Sequence, residues 1–140
     1  MQKLIITKNF DLPPDRVFAY LAEHENLEAI LGAKIKRLSD GTDGTRNGVG
    51  TVRSLKVGPM PPFEETVTKV VPDELIEYKI TKGSPMKDHY GIQTFAPNGT
   101  GTHFTWEIGL QSRIPGVDFI VTKALNRSIS KGLEDVDKNA

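Results

Sequence analysis

An arginine stands in the middle of GVGTVRSLKV, residues 48 to 57, a stretch that otherwise reads as a strand. Side chains alternate between the two faces of a strand, so Arg53 shares one face with Leu55 and Val57, while Val52, Ser54 and Lys56 share the other. If the Leu55 face is the covered one, an unpaired guanidinium there costs on the order of several kcal/mol, and the chain must supply a carboxylate or a polar cavity to meet it. A charged group held under apolar walls can orient a ligand or steady an oxyanion. His89 and Tyr90, adjacent in DHYGIQTF, are further candidates for an acid or a hydrogen-bond donor, and the period of a strand lets only one of them face inward.

Several other chemistries are excluded. The chain has no cysteine, so thiolate nucleophiles, disulfides and cysteine-ligated metals are ruled out. His24 and His103 lack a second ligand at metal-binding spacing, and no zinc site is expected. There is no Gly-x-Ser-x-Gly motif, and the three histidines form no evident triad. GVG and GTG are turn glycines without the strand-loop-helix setting of a nucleotide site. No cofactor is expected.

These groups need elements to hold them. KLIITKNFDL is a strand stopped at Pro13-Pro14, after which Val17, Tyr20, Leu21, Leu27, Ile30 and Leu31 recur at helical intervals with a break near His24 to Asn26. The spacing predicts two short helices, or one bent helix, ending at Gly32. Six strands follow: AKIKRL, VGTVRSLKVG, EETVTKVV, LIEYKIT, DHYGIQTF and HFTWEIGLQS, joined by turn-rich SDGTDGTRNG, the prolines 59, 61 and 62, Pro72-Asp73-Glu74, the loop KGSPMK and PNGTGT. In the last strand Phe104, Trp106, Ile108 and Leu110 form the inward row, and in LIEYKI the row Ile76, Tyr78, Ile80 faces the same way. Tyr78 and Trp106 offer aromatic surface to the core or to a planar ligand. Parity in DHYGIQTF is open, with Tyr90, Ile92 and Thr94 competing against His89, Gly91, Gln93 and Phe95.

PGVDFIVTKALNRSISKGLEDV is the longest helical pattern. Val117, Ile120, Val121, Ala124, Ser128 and Gly132 lie along one side, with Leu125 at its margin and Phe119 opposite. That side is bulky at its start and small in its second half. It either closes onto the sheet or leaves a space, which Ala124 and Ser128 would then line.

With 140 residues, 37% of them hydrophobic, the chain is expected to fold as one α+β domain over residues 1–140. Eighteen basic residues balance eighteen acidic ones, which argues against a nucleic-acid partner. No run of apolar residues is long enough to insert in a membrane, and a cytoplasmic protein is expected.

The order strand, two short helices, six strands and a long final helix, with LPPDRVFAYLAEHENL, GVGTVRSL, EETVTKVVPDELIEY, DHYG and GTGTHFTW in sequence, resembles the START-like (SRPBCC) superfamily of polyketide cyclase and dehydrase-like proteins. The resemblance implies a helix-grip fold, in which a curved antiparallel sheet wraps around the last helix. It also implies that Arg53 and Glu65 match an arginine and a glutamate that point into the cavity in many relatives. Alternation agrees for Glu65 with Val67 and Val71, although Lys69 falls on the same face, and a hairpin through the prolines would set Glu65 beside Arg53. Where many relatives carry a tryptophan, this chain has LEAILGAKI, whose smaller aliphatic residues either widen one end of a cavity or repack it.

Members of this superfamily are carriers, enzymes and protein-binding modules, and fold alone does not choose among them. The first expectation is a binder of a small hydrophobic molecule, lipid-, sterol- or polyketide-like, held by Arg53, Glu65, Tyr78, His89 or Tyr90, Trp106, Ala124 and Ser128. The alternatives are a cyclase- or dehydrase-like enzyme using Arg53 and Glu65, and a protein-interaction module with Phe119 on its surface.

Overall fold

In the computed structural model, which describes residues 2–59, 61–83, 86–112 and 114–140, the strands form a seven-stranded antiparallel sheet around a long carboxyl-terminal helix. The elements run β1 (Gln2–Phe10), α1 (Pro14–Ala22), a 3-10 turn (His24–Asn26), α2 (Leu27–Leu31), β2 (Lys34–Ser39), β3 (Val52–Lys56), β4 (Phe63–Val71), β5 (Leu75–Lys82), β6 (Met86–Asn98), β7 (Gly101–Ser112), α3 (Val117–Leu133) and α4 (Val136–Asn139). Spatial order is β1-β7-β6-β5-β4-β3-β2, so the first strand pairs with the last and the helices between β1 and β2 bridge the two edges. This is the helix-grip α+β fold.

Local chemistry sets the punctuation. Pro13 caps α1 in extended conformation and Pro14 opens it, where a missing amide hydrogen costs nothing. Gly32 closes α2 in the left-handed region at φ 67°, its N–H bonding Glu28 O. The core follows the expected rows: Phe104, Trp106, Ile108 and Leu110 of β7 are fully buried, with Leu4 and Ile6 of β1 beside them in register. Each such side chain contributes about 1.5–3 kcal/mol on burial.

Three features depart from strict alternation or strict helical period. A register shift between Val67 and Lys69 inserts a residue into β4, so Val67 and then Val70 pack inward while Lys69 turns out opposite Glu77. That bulge removes the conflict of a lysine sharing the Glu65 face. A second shift lies between Lys87 and Tyr90, around Asp88 at φ 53°, and beyond it His89, Gly91, Gln93 and Phe95 take the inner row while Tyr90, Ile92 and Thr94 take the outer. The expected KGSPMK loop is shorter than its sequence reading, since β6 already includes Met86 and Lys87; Ser84 and Pro85 lie outside the described residues.

The inward side of α3 is also turned from the expected stripe. Ile129 and Leu133 are its fully buried residues and Leu125 packs with them, whereas Ile120 and Ala124 are exposed. The helix is anchored at its carboxyl-terminal half, where a Cβ on Gly132 would stand only 2.6 Å from Ile30 Cα of α2. Both outcomes left open by the small residues therefore occur along one helix: close approach at Gly132, and a space beneath Val121 to Ser128.

Candidate functional site

Arg53 of β3 and Glu65 of β4 stand directly opposite one another on the inner face of the sheet. Both are buried, each only 3% exposed. Arg53 Nε donates to Glu65 Oε1 at 2.9 Å, and Nη2 lies 2.8 Å from the same oxygen as a charge contact, without the alignment of a hydrogen bond. The other carboxylate oxygen, Oε2, is 3.2 Å from His89 Nε2 on β6. Burial pushes the Glu65 carboxyl up, but Arg53 and His89 together outweigh it, and the net direction is downward. Glu65 is thus held as the anion.

A second arginine explains why this pair stays simple. Arg37 of β2 is the register partner of Arg53 on its other side, yet it turns to its own acids: Nη2 meets Glu23 Oε1 at 2.8 Å and Glu25 Oε1 at 3.0 Å. Nη1 donates to Arg46 O, so the same side chain ties down the β2–β3 loop. The hydrogen bond from Arg37 holds the Glu25 carboxyl at about 2. Between these acids His24 is buried, and burial, followed by the fields of Arg53 and Arg37, lowers its pKa to about 3. It is neutral at any ordinary pH.

Aromatic groups complete the support. The Tyr78 ring lies under the guanidinium, with Arg53 Cζ 4.7 Å from its centroid, and its hydroxyl accepts from Trp106 Nε1 at 3.1 Å. Desolvation pushes the Tyr78 phenol well above its usual range, so it remains neutral. Tyr78 is the register partner of Gly91, and its ring crosses the space a side chain would fill there.

Above this cluster, between the sheet and α3, lies a cavity of about 420 Å³. Leu55, Phe63, Ile80 and Ile108 wall it from the sheet and Val121, Leu125 and Ser128 from the helix, with Glu65, Tyr78 and His89 reaching its surface. Ala124 and Ile120 belong to the same lining but are exposed, Ile120 to 67%, and mark the mouth. A wider, shallower depression of about 780 Å³ borders Tyr20, Glu28, Lys34 and Lys56 and contains no member of the Arg53–Glu65–His89 cluster.

Of the eight residues singled out in the sequence, Glu65, Tyr78, His89, Ala124 and Ser128 line the cavity. Arg53 does not: it sits behind Glu65, stacked on Tyr78, and reaches the cavity only through its partner. Trp106 is likewise behind Tyr78, packed edge-on against Phe104. Tyr90 is on the outer face, where its hydroxyl donates to Glu107 Oε2 at 2.7 Å, because the irregularity at Asp88 gives His89 the inner position. Ser128 already donates to Ile30 O at 2.9 Å. Phe119 is 62% exposed, near the equally exposed Ile114 and Ile120.

Sequence reasoning missed the cavity walls Leu55, Phe63 and Ile108 as site residues, and it missed Gly91. The first three look like ordinary core, and only the register with Tyr78 gives Gly91 its meaning.

Solved structures share this architecture. A START superfamily protein from Mycobacterium smegmatis superposes with a TM-score of 0.80 at 16% identity, over 98% of this chain and 97% of that one. Truncated norcoclaurine synthase from Thalictrum flavum gives 0.73 at 12%, over 96% and 92%, and the Aha1 dimer from Colwellia psychrerythraea 0.73 at 9%, over 98% and 97%. At these identities the likeness is one of fold. No curated protein is similar to this chain in sequence. The family described as polyketide cyclase / dehydrase and lipid transport matches residues 1–140. With that match over its whole length, the chain belongs to the polyketide cyclase / dehydrase and lipid transport family.

Proposed function

We propose that the protein binds a small hydrophobic molecule with one polar end, lipid-, sterol- or polyketide-like, in the cavity between the sheet and α3. The observation that carries this reading is an apolar cavity of about 420 Å³ with a few convergent polar groups, Glu65 and His89, on one part of its wall. Small-molecule sites have this composition and volumes of roughly 300–1,000 Å³. Membership of a family whose description includes lipid transport supports it. Among the described residues no helix is long and apolar enough to cross a membrane, so the apolar residues around the mouth do not belong to a spanning helix.

Nile red, a neutral dye whose emission shifts to the blue in apolar surroundings, tests the reading. One bound dye per chain, displaced by decanol, supports it. Absence of any saturable shift, with the protein folded, removes it.

A second reading rests on the His89–Glu65 contact. Two titratable groups meet at the cavity surface, as a cyclase- or dehydrase-like enzyme requires. Because Glu65 is held as a well-stabilised anion, it suits the role of orienting His89 and is a poor base, which leaves His89 to move the proton. Loss of turnover in His89→Asn with dye binding intact distinguishes this reading from a carrier.

A further inference from the structure

We infer that the cavity selects ligands whose polar end donates a hydrogen bond, an alcohol or phenol, and discriminates against carboxylic acids of the same chain length. The inference rests on the binding reading above and specifies its ligand class.

The Arg53–Glu65 pair is a dipole with a definite direction. Glu65 lines the cavity, and Arg53 lies behind it with Nε and Nη2 both against Oε1. A ligand therefore meets the negative end. Tyr78 covers the guanidinium from one side, which keeps the cation off the cavity wall. A carboxylate oxygen accepts about two hydrogen bonds. Oε1 is occupied by Arg53, whereas among the described residues Oε2 meets only His89 Nε2 and keeps a lone pair for a donor. His89 Nε2, 3.2 Å from Oε2, already faces Glu65 and is not turned toward an anionic ligand.

An alcohol placed here donates to Oε2 and buries its chain along Leu55, Ile108 and Leu125. A fatty carboxylate in the same position puts two anions together in a poorly solvated space, where like charges repel strongly. Arg53 is already neutralised by Glu65, and its remaining Nη2 hydrogens are buried without an acceptor among the described residues but are not on the cavity surface. The cation offers the acid no compensation.

The test is competition of decanol and decanoate against Nile red at neutral pH. Decanol is expected to displace the dye at a concentration about tenfold or more below that needed for decanoate. In the double replacement Arg53→Leu with Glu65→Leu, which leaves no unpaired buried charge, that ratio is expected to fall toward one. Equal displacement by the two in the natural chain, or tighter decanoate, overturns the inference and leaves the binding reading standing. If neither compound displaces the dye, or the dye does not bind, the binding reading fails and the inference with it. The comparison in the natural chain decides the question even if the double replacement does not fold.

Discussion

Tyr78 lies flat across Gly91, its register partner on the neighbouring strand, so closely that a Cβ at Gly91 would stand 2.0 Å from Tyr78 Cζ. Because the ring lies down, Arg53 can stack on it, Trp106 can reach its hydroxyl, and the space above stays open. Small residues in strands often mark such close approaches.

Gly91→Ala is therefore expected to lift the ring. Overpacking of this kind costs about 1–3 kcal/mol, which urea denaturation would register. The chain has one tryptophan, so its fluorescence reports the Trp106–Tyr78 hydrogen bond without ambiguity. An altered emission together with weakened Nile red binding is expected; unchanged emission means the ring did not move.

The buried pair makes a prediction of its own. Arg53→Leu alone, or Glu65→Leu alone, leaves a buried charge unmatched and is expected to cost about 3–5 kcal/mol. The double replacement is expected to be far closer to the natural stability than the sum of the two. Additive losses in a double-mutant cycle would show that the two side chains are not coupled.

Acid should destabilise the protein in two stages. In the unfolded chain His24 takes up a proton near 6.5, whereas in the folded protein it does so only near 3. The unfolded state then binds the extra proton as pH falls, so folding free energy declines below 6.5 by up to about 1.4 kcal/mol per pH unit. Glu65, whose carboxyl is shifted below its ordinary value of 4.5, stabilises above that value and loses its contribution only as pH falls further. The window between 6.5 and 4.5 therefore belongs to His24. In His24→Gln the slope of stability against pH should flatten there, whatever happens to absolute stability.

Ile120 is a mouth residue that packs little. Ile120→Glu is expected to change stability by about 0.5 kcal/mol or less, as surface substitutions do, while weakening Nile red binding severalfold. Equal affinity in the two chains would place the mouth elsewhere.

Much of this was legible from parity and punctuation. The inward rows of β5 and β7 follow from simple alternation, and the prolines between β3 and β4 already implied that Arg53 and Glu65 share a hairpin. What alternation could not reveal were its own interruptions. The bulge after Val67 turns Lys69 outward, and the irregular backbone at Asp88 decides between His89 and Tyr90. Both are backbone events set by neighbouring strands, with no residue type that announces them. In α3 the sequence offered a graded stripe, but the contact of Gly132 with Ile30 set the rotation of the helix and brought Ile129 and Leu133 to the core. That is a tertiary constraint, invisible to helical period alone.

In the proposed complex the ligand's apolar chain lies between the sheet and α3 with its polar end at Glu65 and His89. Intermolecular nuclear Overhauser contacts in protein saturated with decanol test it most directly. The expected pattern runs from the alkyl chain to Leu55, Ile108 and Leu125, with the carbinol protons closest to His89. Contacts confined to Phe119 and Ile114 on the surface, or none to the inner wall, would contradict it.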